Sequence, residues 1–366
     1  MSPEKTTRKT AAKKNTPLPA IDMAWMEDAL AKLLNTPSPT GHTEAAISLL
    51  EEILADFPEV KLERTRKGSL LATLPGAKSS QGTTRALTAH VDTLGAMVKR
   101  IKSNGRLELT QIGGYAWTSV EGESCLVHTQ KNGAVIGSLL PVKASLHVYG
   151  AAARDDKRTA EGMEVRLDAR VTNEEETRAL GIEVGDFVSF DARVVREGGF
   201  IRSRHLDDKA AVATLLGAVK ALHDAKSKPA VDTMLLFSNF EEVGFGGASD
   251  FPAELDELVA VDMAAIGEGQ SSDEYHATIC VKDSSGPYHH GLSNKLRALA
   301  DAQGIEYRVD IYPYYGSDAK AYWSAGGSAA IALIGPGVDS SHHYERTHQD
   351  ALRDTTRWIL AYLLAE

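Results

Sequence analysis

At 366 residues and 39.3 kDa, with 43% hydrophobic and 25% charged residues, the chain has an ordinary globular make-up, which excludes collagen-like, fibrous and wholly disordered classes. Forty basic against fifty acidic residues give a formal charge of −10, a poor match for nucleic acid as the main partner. No apolar run reaches the ~20 residues of a bilayer span, the leading MSPEKTTRKTAAKKNT lacks an apolar signal core, and Cys125 and Cys280 are too few for a disulfide framework, so the setting expected is cytoplasmic, with neither membrane nor nucleic acid as partner.

Residues 1–18 hold Lys5, Arg8, Lys9, Lys13 and Lys14 against Glu4 alone and are expected to form a solvated, disordered basic tail. From about Ile21, apolar residues at Ala24, Trp25, Ala29, Leu30 and Leu33 predict an amphipathic helix. The two prolines of Asn35–Gly41 break it, and a second helix is predicted from Thr43 to Asp56, followed by strands Ser69–Leu74 and Ala86–His90. Between Ile101 and Arg202 helical period gives way to short alternating runs: Arg106–Ile112, Cys125–Gln130, Ala134–Leu140, Ser145–Val148, Met163–Val171 and Phe187–Val195, with a hairpin turn at Asn132-Gly133. The α/β rhythm then resumes with helix Lys209–Ala225, strands Thr233–Phe240 and Leu258–Asp262, helix Ser293–Gln303, strands Glu306–Ile311 and Ala329–Ile334, and helix Leu352–Leu364. The expected architecture is an α/β catalytic domain over residues 19–100 and 201–366, split by an inserted all-β module over residues 101–200. Such an insertion brings distant residues to neighbouring strand ends, where open α/β sheets hold their sites.

Five places put ionisable residues at the end of a predicted strand or the start of a helix. In Ala89-His90-Val91-Asp92 the imidazole and carboxylate lie two residues apart on an extended chain, a pattern that can supply a metal ligand and the partner that fixes its tautomer. Asp207-Asp208 opens a helix; one carboxylate suffices for a cap, leaving the other free to bridge cations. Glu241-Glu242 follows an apolar strand and runs into Val243-Gly244-Phe245-Gly246-Gly247. Paired glutamates there repel unless a cation or proton compensates; Glu242 is read as a ligand and Glu241 as a proton acceptor. Asp262 tips the apolar run Leu258–Val261, and His342, His343 and His348 crowd into Ser340–His348. These N and O donors, without thiolate, are too many for one tetrahedral zinc and suit two metals ~3.5–4 Å apart sharing one carboxylate.

Taken in order, AHVDTLGAMV, RHLDDKAAVA, NFEEVGFGGAS, VAVD and SSHHYERTH resemble the tetrahedral-aminopeptidase family of cocatalytic zinc peptidases, which includes glutamyl and deblocking aminopeptidases. The phrases SRHLDDKA, KDSSGP and SHHYERTH look closest to a subgroup associated with the osmoprotectant N-acetylglutaminylglutamine amide. The resemblance implies a phosphorylase/hydrolase-like α/β/α sandwich with an inserted barrel-like domain that mediates dimerisation within a twelve-subunit assembly. It implies His90, Asp207 and Asp262 on one metal and Asp207, Glu242 and His342 on the other, with Asp207 bridging, Glu241 as general base and Asp92 orienting His90. It also implies a strained peptide bond between Asp207 and Asp208, with cis as one of its forms. His343 stands where the family more often has a small residue, so His342 and His343 compete; His342 is preferred because it directly follows the serine pair. Gly316-Ser317-Asp318 resembles a substrate-pocket motif.

The reaction expected is hydrolysis of the N-terminal peptide bond of a short peptide by two divalent ions, zinc first with cobalt or manganese as alternatives. Two rivals are an amidase or deacylase acting on a small capped dipeptide osmolyte, and a non-catalytic assembly protein that kept the fold. Glu241 speaks against the latter, because a binding module needs no general base.

Overall fold

The computed structural model describes residues 17–78, 84–252 and 254–366. Apart from Pro17 and Leu18, the predicted basic tail lies outside them. Strands run across a sheet of ten in the order Lys61–Arg64, Leu70–Leu74, Thr233–Ser238, Arg85–His90, Glu257–Val261, Ala330–Val338, Ala277–Asp283 and Gly286–Pro287, with Ala264–Ala265 and Tyr307–Ile311 pairing off that path. The four central strands are mutually parallel: Ser238 pairs with His90, Ala260 with Thr88 and Val261 with Ile334. Their carboxyl ends therefore share one edge.

Both faces of this sheet are covered, and for that reason Arg85–His90 is buried at every position instead of alternating. On one face Leu87, Ala89, Phe237, Val259 and Ile334 pack with Leu50, Leu216, Leu296 and Trp358 from helices Glu44–Leu54, Leu206–Asp224, His290–Gln303 and Gln349–Leu364. On the other, Ala86, Leu258, Ala260 and Leu333 pack with Ala319 and Tyr322 from helix Asp318–Ser324.

In chain order, a closed six-stranded barrel comes between strands Arg85–His90 and Thr233–Ser238: Gly95–Ile101, Leu107–Ile112, Met163–Leu167, Gly133–Pro141, Ser124–Thr129 and Phe187–Phe190. Its core holds Val98, Leu109, Val127, Leu139, Val165 and Val188. The hairpin at Asn132-Gly133 forms as predicted, with Thr129 opposite Gly133 and φ of 75° at the glycine.

Four local readings need correction. Strand Gly95–Ile101 had no predicted element, because a bulge between Val98 and Arg100 shifts the register and destroys the two-residue alternation; the barrel thus begins ahead of residue 101. Strand Ala277–Asp283 likewise has no predicted element, because its first four residues are all buried and no two-residue alternation marks it. Ser145–Val148 is no strand: Leu146–Tyr149 makes one helical turn that leaves Leu146 and Val148 exposed. The strand expected to stop at Ile334 runs on through Gly335-Pro336-Gly337 to Val338.

Candidate active site

The edge formed by the four parallel strands carries the predicted residues. His90 ends strand Arg85–His90, with Asp92 just beyond; Glu241 and Glu242 occupy a turn after Thr233–Ser238; Asp262 follows Glu257–Val261; His342 sits in the loop after Ala330–Val338. Asp207 and Asp208 stand at the head of helix Leu206–Asp224 with non-helical dihedrals, and the peptide bond between them is cis.

His90 Nε2 lies 3.2 Å from Asp207 Oδ1 and 3.7 Å from Glu241 Oε2. His342 Nε2 lies 3.4 Å from Asp207 Oδ2 and 3.7 Å from Glu242 Oε2. Each oxygen of Asp207 therefore faces a different histidine. Ligand atoms of His90, Asp208 and Asp262, and likewise of His90, Asp207 and Glu242, come within 4.8 Å of one another. His343 is exposed, and its carbonyl accepts from Arg204. His348 packs on Phe200 and Tyr275 instead of joining the cluster.

The ring orientations are set from behind. His90 Nδ1 donates to the Asp92 main-chain carbonyl at 2.9 Å, closer than the Asp92 carboxylate at 3.5 Å. His342 Nδ1 donates to the carbonyl of Gly114, at the foot of the barrel. Both rings then aim Nε2 into the acidic cluster, the arrangement typical of a metal-ligating imidazole. The Asp92 carboxylate is engaged elsewhere, accepting from the Glu241 amide at 3.1 Å, the Glu242 amide at 3.3 Å and Thr40 Oγ1 at 2.7 Å.

Burial dominates the electrostatics, and the crowding of acids adds to it. Burial, aided by Asp207, pushes Glu242 up to about 8 and Asp262 up to about 7. Burial, against the pull of His90 and with Asp262 adding, raises Glu241 well above the usual carboxylate range. Burial would raise Asp207 too, but hydrogen bonds from His342 and His90 hold it below that range. Against burial, Asp207 and Glu242 push His342 up to about 10. Asp208 Oδ1 and Glu242 Oε1 are buried without a hydrogen-bond partner. Orphaned carboxylate oxygens beside paired imidazoles, all hard or borderline donors, fit a pair of divalent cations.

Before the cluster opens a cleft of ≈ 670 Å³, lined among others by Met263, Ser285, Tyr312, Tyr315, Ser317 and Lys320. Ser317 of the Gly-Ser-Asp motif reaches this wall. Asp318 points behind it, accepting from Thr88 Oγ1 at 3.0 Å, from the Gly247 amide at 2.6 Å and from Ser238.

A model of the M42 glutamyl aminopeptidase family matches residues 68–357. The chain belongs to that family. It is similar to the Bacillus subtilis (strain 168) protein named "Putative aminopeptidase YhfE", 48% identical over 337 residues that cover 92% of this chain and 96% of that one. Its fold is similar to that of aminopeptidase APDkam598 from Desulfurococcus kamchatkensis, with a TM-score of 0.83 at 21% identity over 93% of this chain and 95% of that one. It is similar as well to the TET1 peptidase of Pyrococcus horikoshii, which assembles into a tetrahedron or a large octahedral shell, with a TM-score of 0.80 at 22% identity over 93% and 100% of the two chains. As an M42 member the chain is an aminopeptidase, a metal-dependent hydrolase of peptide bonds. Among the described residues no helix is long and apolar enough to cross a membrane.

Three partners escaped the sequence reading. Glu345 accepts from the amides of Asp207 and His342; Asp318 braces the glycine turn after Glu242; Gly114 orients His342. Glu345 left a trace as an acid within a histidine-rich segment, and Asp318 only as part of the Gly316-Ser317-Asp318 pocket motif, with no sign of its bracing role.

Proposed function

We propose that the chain hydrolyses the N-terminal peptide bond of short peptides with two divalent metal ions, zinc first among them. His90, Asp207 and Asp262 would hold one ion and Asp207, Glu242 and His342 the other, Asp207 being shared. The observation that carries this reading is Asp207 itself, whose two oxygens face the Nε2 atoms of two histidines oriented by main-chain carbonyls.

When bound, such ions polarise a scissile carbonyl, seat a free amine and acidify water. Glu241 takes a proton from the attacking water and returns it to the leaving amine, the role of a general base turned acid. Its placement suits that role, because the amide of Glu241 is held by Asp92 and its carboxylate borders the cleft. Burial makes the charged form of Glu241 costly, so a proton accepted there is readily held until it passes to the nitrogen of the departing amine.

Glu241→Gln tests the assignment. Turnover of a dipeptide with a free N-terminus should fall by about 10²–10⁴-fold while metal content, read by elemental analysis, stays at the wild-type value. Loss of metal in this variant would make Glu241 a ligand instead. Running the same dipeptide N-acetylated separates the aminopeptidase from an amidase that accepts a capped substrate.

The barrel is read as the assembly module and the rest of the chain as the catalytic unit, with a dimer as the building block of a homo-oligomer of up to twelve subunits in a cytoplasmic setting. The shells formed by the TET1 peptidase support this, as do Leu146, Val148 and Tyr149, apolar side chains exposed on one barrel loop. Light scattering of the full chain decides: a monomer at micromolar concentration would end this reading.

A further inference from the structure

We propose that Glu345 is a positioning residue of the metal centre, one carboxylate that fixes Asp207 and His342 relative to each other through their main-chain amides. The inference rests on the two-metal reading above.

Glu345 opens strand Glu345–His348, which pairs antiparallel with Phe200–Ser203, and its direct partner is Ser203. The chain leaves Ser203 through Arg204-His205-Leu206 and arrives at Asp207. Glu345 thus sits across from the segment that delivers the shared aspartate and just after the segment that delivers His342. Its side chain turns inward and the residue is 2% exposed. Oε2 accepts from the Asp207 amide at 3.0 Å, across a separation of 138 residues. Oε1 accepts from the His342 amide at 3.0 Å.

The His342 bond taken alone would be an ordinary local turn contact. The Asp207 bond has no such local explanation. A buried carboxyl group needs partners for its oxygens, and the two amide N–H donors supply one to each. The two ligands it holds are the two whose backbones need holding. Asp207 has φ −75° and ψ 104° at a helix head, so its amide has no place in the helical ladder. His342 has φ 64°, the left-handed region that a β-substituted residue occupies at a cost. Anchoring both amides on one carboxylate sets the distance between Asp207 Oδ2 and His342 Nε2, which is 3.4 Å. Residues that orient metal ligands in this way change affinity by about 10–100-fold when altered.

The test uses the full chain stripped of metal, as wild type, Glu345→Gln and Glu345→Asp. Each is titrated with zinc against a chromophoric chelator and with cobalt(II) followed by visible absorption, and thermal unfolding of the metal-free forms is recorded alongside. In the Gln variant an NH₂ group meets one of the two amide N–H groups, so one clamp is lost. The Asp side chain, shorter by a methylene, reaches only one amide while remaining a carboxyl group, and serves if the Gln variant does not fold. The expected result is weaker binding of both metal equivalents, because both ions share Asp207, with the one held by Asp207 and His342 together weakened most, by about 10–100-fold, and an altered cobalt absorption band. Two equivalents bound as tightly as in the wild type overturn the proposal, even where thermal stability drops, because the role would then be structural. A wild-type chain that takes fewer than two equivalents overturns the two-metal reading beneath it, which keeps the two failures distinct.

Discussion

Asp92 holds Glu241 by its backbone: Oδ1 accepts the Glu241 amide at 3.1 Å, while Oδ2 takes the Glu242 amide at 3.3 Å and the Thr40 hydroxyl at 2.7 Å. The strand end that carries His90 and the turn that carries both glutamates are thereby locked together. Because the His90 ring donates to the Asp92 main-chain carbonyl, Asp92→Asn leaves that bond in place and disturbs only the grip on the turn. Turnover is expected to fall about 10–100-fold with metal content unchanged. Steady-state rates on a dipeptide check this; wild-type rates would show that the glutamates hold their place unaided.

Asp207→Ala removes the carboxylate whose two oxygens lie 3.2 Å and 3.4 Å from the two histidine Nε2 atoms. Both metals should be lost together, not one, and elemental analysis after dialysis distinguishes the outcomes. One retained equivalent with measurable turnover would show that the ions do not share this residue.

The candidate site was largely legible because its chemistry is local: His90, Glu241 and Asp262 each cap or follow an apolar strand, and a charge at that place needs a reason. The layered α/β fold and the barrel insertion were legible from the switch between periods of 3.6 and 2. What stayed hidden is defined by tertiary approach. Gly114 meets His342 across 228 residues, and Glu345 meets Asp207 across 138; neither residue type signals such a contact. Strand Gly95–Ile101 was illegible for a different reason, since its bulge erases the alternation on which a strand is recognised.

The metal-free protein should lose stability as pH rises. Glu242 and Asp262 are pushed up to about 8 and about 7 in the fold, from ordinary values of 4.5 and 3.8, by burial and by Asp207. A carboxyl raised on folding lets the folded state bind the extra proton, so its contribution is present at low pH and is lost as pH climbs through the folded value. Unfolding midpoints of the stripped protein should therefore decline between about pH 5 and 8. Divalent metal displaces those protons, so its apparent affinity should rise over the same window. A stripped protein that gains stability from pH 5 to 8 would contradict the burial of these two acids.

Gly335 faces the main chain of Asp262. A Cβ at Gly335 would lie 1.7 Å from the Asp262 carbonyl oxygen and 2.6 Å from its carbonyl carbon, where no side chain fits. The Asp262 amide meanwhile donates to the Ile334 carbonyl at 3.0 Å, so the two strands cannot part without freeing a buried N–H. Gly335→Ala must push Asp262 away from the cluster or splay the strand ends, an overpacking that costs about 1–3 kcal/mol. A loss of this size shifts the unfolding midpoint by only a few degrees in a chain this long, leaving folded protein to assay. Activity should fall further than stability does, because the displaced group is a proposed ligand. Gly337→Ala makes the control: its Cβ would strike the Asp273 carbonyl at 1.8 Å, overpacking the same strand without touching Asp262. Equal loss of activity in the two variants would mean that general disorder of the strand, and not the position of Asp262, sets the rate.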